Sequence, residues 1–81
     1  MGKIEKKVND LINDIRKEVE PSVESIDPVE EEYWITEYAL GRCRELYLKY
    51  LNKDKEEWET VRSAMIYLIL QEGRLTEKLI E

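Results

Sequence analysis

Apolar residues in this chain recur at intervals of three and four, and that spacing leaves it little choice but helix. Ile4, Val8, Leu11, Ile12, Ile15 and Val19 stand at offsets 0, 4, 7, 8, 11 and 15, while Lys6, Lys7, Asn9, Asp14 and Lys17 fill the remaining positions. That is one face of an amphipathic helix. No segment alternates apolar and polar residues with period two, so no strand is expected and the chain reads as all-α.

The helix boundaries are written in prolines and caps. Pro21 fixes φ and removes an amide donor, which ends the first helix at about residues 3–19. Residues 20–27 then read as a linker. In Asp27-Pro28-Val29-Glu30 the aspartate can cap free amides, Pro28 suits the first helical position, and Glu30 completes a capping box. A second helix follows over about 28–51. Asp54-Lys55-Glu56-Glu57 repeats the box and opens a third over about 55–72. The connection between these two is so short that they must be antiparallel neighbours. The expected architecture is therefore a single domain, 1–81, folded as an antiparallel three-helix bundle.

The tail reads two ways. Gly73 is a natural residue to end a helix, and Thr76 also favours a break. Against this, Trp58, Val61, Met65, Leu68, Glu72, Leu75 and Leu79 keep a 3–4 alternation that favours continuation, so residues 73–81 are either an extension or a short fourth turn. The segment from Met65 to Ile80, with Gly73-Arg74-Leu75-Thr76 at its centre, resembles the helix–Gly–Leu-Thr opening of winged-helix DNA-binding domains. That resemblance implies a turn at Gly73 leading into the helix before a recognition helix. No recognition helix or wing follows within these 81 residues, so no DNA-binding function is drawn from it.

At 40% charged and 42% hydrophobic residues, the chain is too apolar for disorder and too charged for a membrane span. Its longest apolar run, Ala64–Leu70, is far short of a bilayer crossing, and the N-terminus lacks the apolar core of a signal peptide. A lone cysteine, Cys43, excludes an internal disulfide and fits a cytoplasmic protein. Abundant Glu and Lys with no His give a thermophile-like composition.

Two helices carry more apolar surface than one bundle needs. On the second, Val29, Ala39, Leu40, Cys43, Leu46, Tyr47 and Tyr50 supply a core face, yet Trp34, Tyr38, Gly41 and Leu48 cluster opposite. On the third, Val61, Ala64, Met65, Leu68 and Ile69 supply the core, leaving Ile66, Tyr67 and Leu70 pointing elsewhere. Either helix one and the tail wrap these positions, or another protein covers them. An 81-residue chain sits at the edge of the range where a lone core rarely supplies more than about 3–5 kcal/mol, which favours the intermolecular explanation. Trp34, Tyr38, Leu48, Ile66, Tyr67 and Leu70 are the expected interface.

Charge adds two weaker patterns. Glu18 to Gly41 holds eight acidic residues and no base, while the rest of the chain carries 13 basic and 11 acidic residues, so the net −6 belongs to that segment. Its first-turn acids suit a helix dipole, and Glu30, Glu31, Glu32 and Glu37 would form an acidic docking patch for a basic partner. Trp34, Tyr38, Arg42, Lys49 and Lys53 share about a third of helix two's circumference, an aromatic–basic stripe of the kind that stacks bases and neutralises phosphates. Glu45 interrupts it, and the net charge repels a polyanion.

Catalytic signatures are missing from the sequence. No histidine is present for acid–base work, and neither a Walker loop nor Gly-x-Gly-x-x-Gly occurs. Cys43 falls on the core face as a small hydrophobe. Helical carboxylates could hold Mg²⁺, but Glu30–Glu32 with Glu37, and Glu56, Glu57 and Glu59, show no matching pair on a facing helix. No enzyme activity, cofactor or metal is expected. The expected function is protein association, as a homo-oligomer or an accessory subunit. The alternative is an accessory factor of a nucleic-acid-processing machine that touches nucleic acid through Arg42, Lys49 and Lys53.

Overall fold

The computed structural model describes residues 2–24 and 27–81, with side chains from Glu5 onward, so Ile4 lies outside the described side chains. Three helices, α1 (Gly2–Val19), α2 (Pro28–Tyr50) and α3 (Lys55–Ile80), pack against one another, and no strand occurs among the described residues. The chain is an all-α three-helix bundle.

The caps form where the sequence places them. Pro21 converts the end of α1 into a 3₁₀ turn, Glu20–Ser22, closed by the Val23 amide donating to the Glu20 carbonyl at 3.0 Å. Asp27 Oδ1 accepts from the Val29 amide at 2.9 Å and Asp54 Oδ1 from the Glu57 amide at 3.1 Å, each relieving an unpaired donor of a first turn. Between α2 and α3, Asn52 adopts φ 62°, the left-handed conformation that asparagine tolerates better than most residues. The chain thereby reverses within residues 51–54, and the Lys53 and Asp54 amides donate to the Tyr50 carbonyl at 3.0 and 3.1 Å.

Of the two readings of the tail, the extension is the one that forms: α3 runs past Glu72 unbroken through Gly73 to Ile80. Leu75 is buried beyond Gly73 and rewards continuation, while the Thr76 hydroxyl donates back to the Glu72 carbonyl at 2.8 Å. Gly73 keeps negative φ, so the turn implied by the winged-helix resemblance does not form. A Cβ at Gly73 would meet nothing within 4 Å. Gly73→Ala is therefore expected to stabilise the chain by about 0.5–1 kcal/mol through backbone entropy alone. A urea midpoint that rises at unchanged slope is the confirming result, and a fall would mean the position is not a free helix interior.

The core is built from Ile12 and Ile15 on α1, Ala39, Leu40 and Cys43 on α2, and Val61, Ala64 and Leu68 on α3. Ala39, Cys43 and Ala64 are fully buried, and their small size lets α1 lie close on the α2–α3 pair. Two sequence expectations change. Ile69, assigned to the core, is 53% exposed, because the core direction of α3 passes through Ala64, Leu68 and Leu75 and leaves it a third of a turn away. On α2 the buried set begins with Ile35 and Thr36 rather than Val29, which is only half-buried; the Thr36 hydroxyl is satisfied by the Glu32 carbonyl at 2.8 Å.

Helix α1 has 18 residues against 26 in α3, about 27 Å against about 39 Å. It runs alongside α3, pinned by Lys7 Nζ to Glu56 and Glu57 at 2.6 and 3.3 Å, and is joined to α2 by Arg16. A cover this short leaves much of the α2–α3 pair bare. The accessible surface is 6042 Å², against about 5,100 Å² for a globular monomer of this mass. The radius of gyration is 13.3 Å, against about 11.7 Å for 81 compact residues.

Candidate association surface

Each helix turns by about 100° per residue, so the contacts of α2 and α3 fix which way their remaining faces point. On α2, Glu32 and Arg42 reach α1 (through Arg16 and Glu18), while Glu37 and Tyr47 meet α3 (at Glu72 and Trp58). Leu48 then lies on the side away from α1, while Trp34 borders the segment that follows α1 and Gly41 a hollow shared with Glu18 and Val19 at its end. On α3, Glu56 and Glu57 meet α1 and Trp58 and Glu72 meet α2, which turns Ile66, Ile69, Gly73 and Ile80 to that same side. Trp34 is 42% exposed, Leu48 69% and Ile80 80%. The back of the α2–α3 pair is thus an apolar face, open at Leu48, Ile66, Ile69 and Ile80 and flanked at Trp34, Tyr38 and Gly41 by the end of α1 and the segment after it. Tyr38 and Leu70 are exposed at its two edges.

The expected interface residues divide on this geometry. Trp34, Leu48, Ile66 and Leu70 come together on or beside the back face, and Ile69 joins them. Tyr67 does not: it borders a hollow with Asn9, Ile12, Asn13 and Arg16 on the α1 flank. Tyr33, Trp34 and Tyr38 form an aromatic ladder, with ring centroids 5.3 Å and 6.2 Å apart along the helix. Trp34 and Tyr38 also border an open hollow of about 350 Å³ with Pro21, Ser22, Val23 and Glu24.

The charged patterns are altered by their partners. Arg16 grips Glu32 with both guanidinium nitrogens, Nη1 donating to Oε2 at 3.0 Å and Nη2 to Oε1 at 2.6 Å. That bidentate pairing holds the Glu32 carboxyl below its ordinary pKa and occupies it as an α1–α2 tie, and of the expected acidic patch Glu30 is exposed while Glu31 and Glu37 are half-buried. In the aromatic–basic stripe, Arg42 is shared by Glu18 at 3.3 Å and Glu45 at 2.9 Å, and the Lys49 ammonium lies 5.6 Å from the centre of the Tyr50 ring. Lys53 falls in the α2–α3 turn, beyond the reversal at Asn52, and so leaves the stripe. These residues form no continuous cationic surface.

Glu37 faces a single carboxylate across the helices, Glu72 of α3. Hydrogen bonding to Glu37, burial and the Glu37 charge together raise the Glu72 pKa, with Arg44 partly offsetting them. Burial, then the same two carboxylates, raise the nearby Tyr33 hydroxyl. One Glu72 oxygen, Oε2, is buried without a hydrogen-bond partner. The signal was present in the sequence, because Glu72 occupies an apolar slot in the 3–4 alternation of helix three. No three carboxylate, thiol or imidazole groups converge into a metal cluster among the described residues. Cys43 is fully buried, its thiol pushed up to about 11 by burial.

The pair makes a signed pH prediction. A carboxyl whose folded pKa is raised favours folding as pH falls through that value, and its ionised form works against the fold at neutral pH. Glu32, lowered by Arg16, acts oppositely: its stabilisation is present above the unfolded carboxylate range and is lost as pH falls through its folded value. Glu72→Gln is therefore expected to raise the denaturation midpoint at pH 7, with the gain shrinking towards pH 4. An equal gain at both pH values would show that charge is not the cause.

No helix among the described residues is long and apolar enough to cross a membrane. No protein-family model matches the chain, and comparison with curated proteins and with solved structures found no significant match.

Proposed function

We propose that this protein is a helical association module, working as a homo-oligomer or as an accessory subunit of a larger assembly, with no catalysis of its own. The observation that carries the reading is the uncovered back of the α2–α3 pair, where Trp34, Leu48, Ile66 and Ile69 face solvent together. Water-facing apolar side chains grouped on one side of a small protein are what a partner surface removes from water. The divided charges of the Arg42 stripe give the nucleic-acid alternative less support than the apolar face gives this one.

The test is the size at which the native chain travels in a gently prepared extract of its own host. The reading expects a species well above the 9.7 kDa of one chain. A chain that elutes as a free monomer in that extract would overturn it.

A further inference from the structure

We infer that the occupant of the back face is a second copy of this chain, packed antiparallel about a two-fold axis that passes close to Gly41. This rests on the association reading above and goes further by naming the partner and its orientation. Three observations carry it.

The first is area. At their recorded exposures, Trp34, Leu48, Ile66, Ile69, Leu70 and Ile80 present roughly 650 Å² of apolar side chain. A stable interface of ordinary size uses about 800 Å² from each partner, and flanking polar residues make up such a rim. The accessible surface also exceeds the compact-monomer expectation by a similar amount, about 900 Å².

The second is charge. Across the α2–α3 pair, Glu37 is level with Glu72 and Tyr47 with Trp58, so residues 27–40 and 69–81 make one end and residues 41–68 the other. The first end has eight acids and two bases, a net −6; the second has six bases and five acids, a net +1. Two copies side by side in the same direction would set −6 against −6. Turned end for end, each acidic end lies over the other copy's Lys49, Lys53 and Arg62, so only the antiparallel arrangement relieves the repulsion.

The third is shape. Trp34, Tyr38, Gly41, Glu45 and Leu48 step by 4, 3, 4 and 3 along α2, the register of a helix that packs lengthwise on another. Gly41 sits seven residues from Trp34 and seven from Leu48. A two-fold axis there sets Trp34 of each copy against Leu48 of the other, with the two backbones closest where no side chain intervenes. A Cβ at Gly41 would touch nothing within 4 Å in the single chain, so packing inside the bundle does not require glycine.

The experiment uses the purified full chain. Light scattering on a sizing column should give twice the mass of one chain for the wild type. Gly41→Leu should give the mass of a single chain, with its helical circular dichroism kept. Orientation is read by cysteine cross-linking, with buried Cys43 a poor competitor. Gly41→Cys should cross-link to itself, and Trp34→Cys should cross-link when mixed with Leu48→Cys and not when alone. Trp34→Cys linking to itself would overturn the antiparallel arrangement. So would a Gly41→Leu chain that remains dimeric. A wild type that is monomeric at every concentration overturns the second copy as occupant; if a larger species persists in the host extract, the association reading survives, and if it does not, both fall.

Discussion

Replacing Leu68 with alanine is expected to destabilise the monomer fold by about 3 kcal/mol, within the 2–5 kcal/mol usual for a buried leucine. Leu68 has no exposed surface and sits on α3 where all three helices meet. Its neighbours in that core include Ala39, Cys43 and Ala64, side chains too short to move into the space it would vacate. A core of this size supplies only about 3–5 kcal/mol in total, so the variant should be substantially unfolded in dilute solution. Leu70→Ala is the matched control: the same deletion, on the same helix, two residues on, at a side chain that faces solvent. Its expected effect on the monomer is within about 0.5 kcal/mol. Urea titration followed by circular dichroism, at concentrations where both variants are monomeric, separates the two, and equal losses would contradict the placement of the core.

Trp34→Ser combined with Tyr38→Ser is expected to weaken association by at least ~30-fold, the loss typical of removing one aromatic anchor from an interface centre. Neither ring belongs to the core cluster, so helicity should survive with little change. Tyr33, Trp34 and Tyr38 stiffen one another along α2, and a rigid aromatic ladder loses little freedom when it is covered. Sedimentation at several concentrations measures the effect. Unchanged association with both rings removed would place the interface elsewhere, and a loss of helicity would show the rings to be part of the fold.

Much of the architecture was legible because its determinants are local. Pro21, Asp27, Pro28 and Asp54 act within a turn of their own positions, and the helices begin and end near them as expected. The end of α3 was not legible, because Gly73 and Leu75 pull in opposite directions. Burial of Leu75 depends on what α2 presents opposite it, which no local rule contains. Ile69 failed for a related reason: it sits between core and exterior by spacing, and the direction of α1 decides which it becomes. The exposure of Trp34, Leu48 and Ile66 was legible, because their spacing leaves them over once the core faces are filled. Tyr67 is exposed as its spacing implies, but that it borders α1 was not legible, because helical spacing says that a residue leaves the core, not which neighbouring helix it then borders. Glu72 is the most instructive, since a carboxylate in an apolar slot announces an unusual environment before its partner is known.

The reversal at Asn52 has a kinetic meaning. Helices joined by residues 51–54 alone need almost no search to find one another, so α2 and α3 should zip together while α1, held off by the longer segment 20–27, is still unattached. The order of assembly would then also be the reverse order of opening. Amide hydrogens of Ile12 and Ile15 should exchange with solvent ahead of those of Ala64 and Leu68, although all four residues are buried in one core, and simultaneous exchange would show that the bundle opens as one piece.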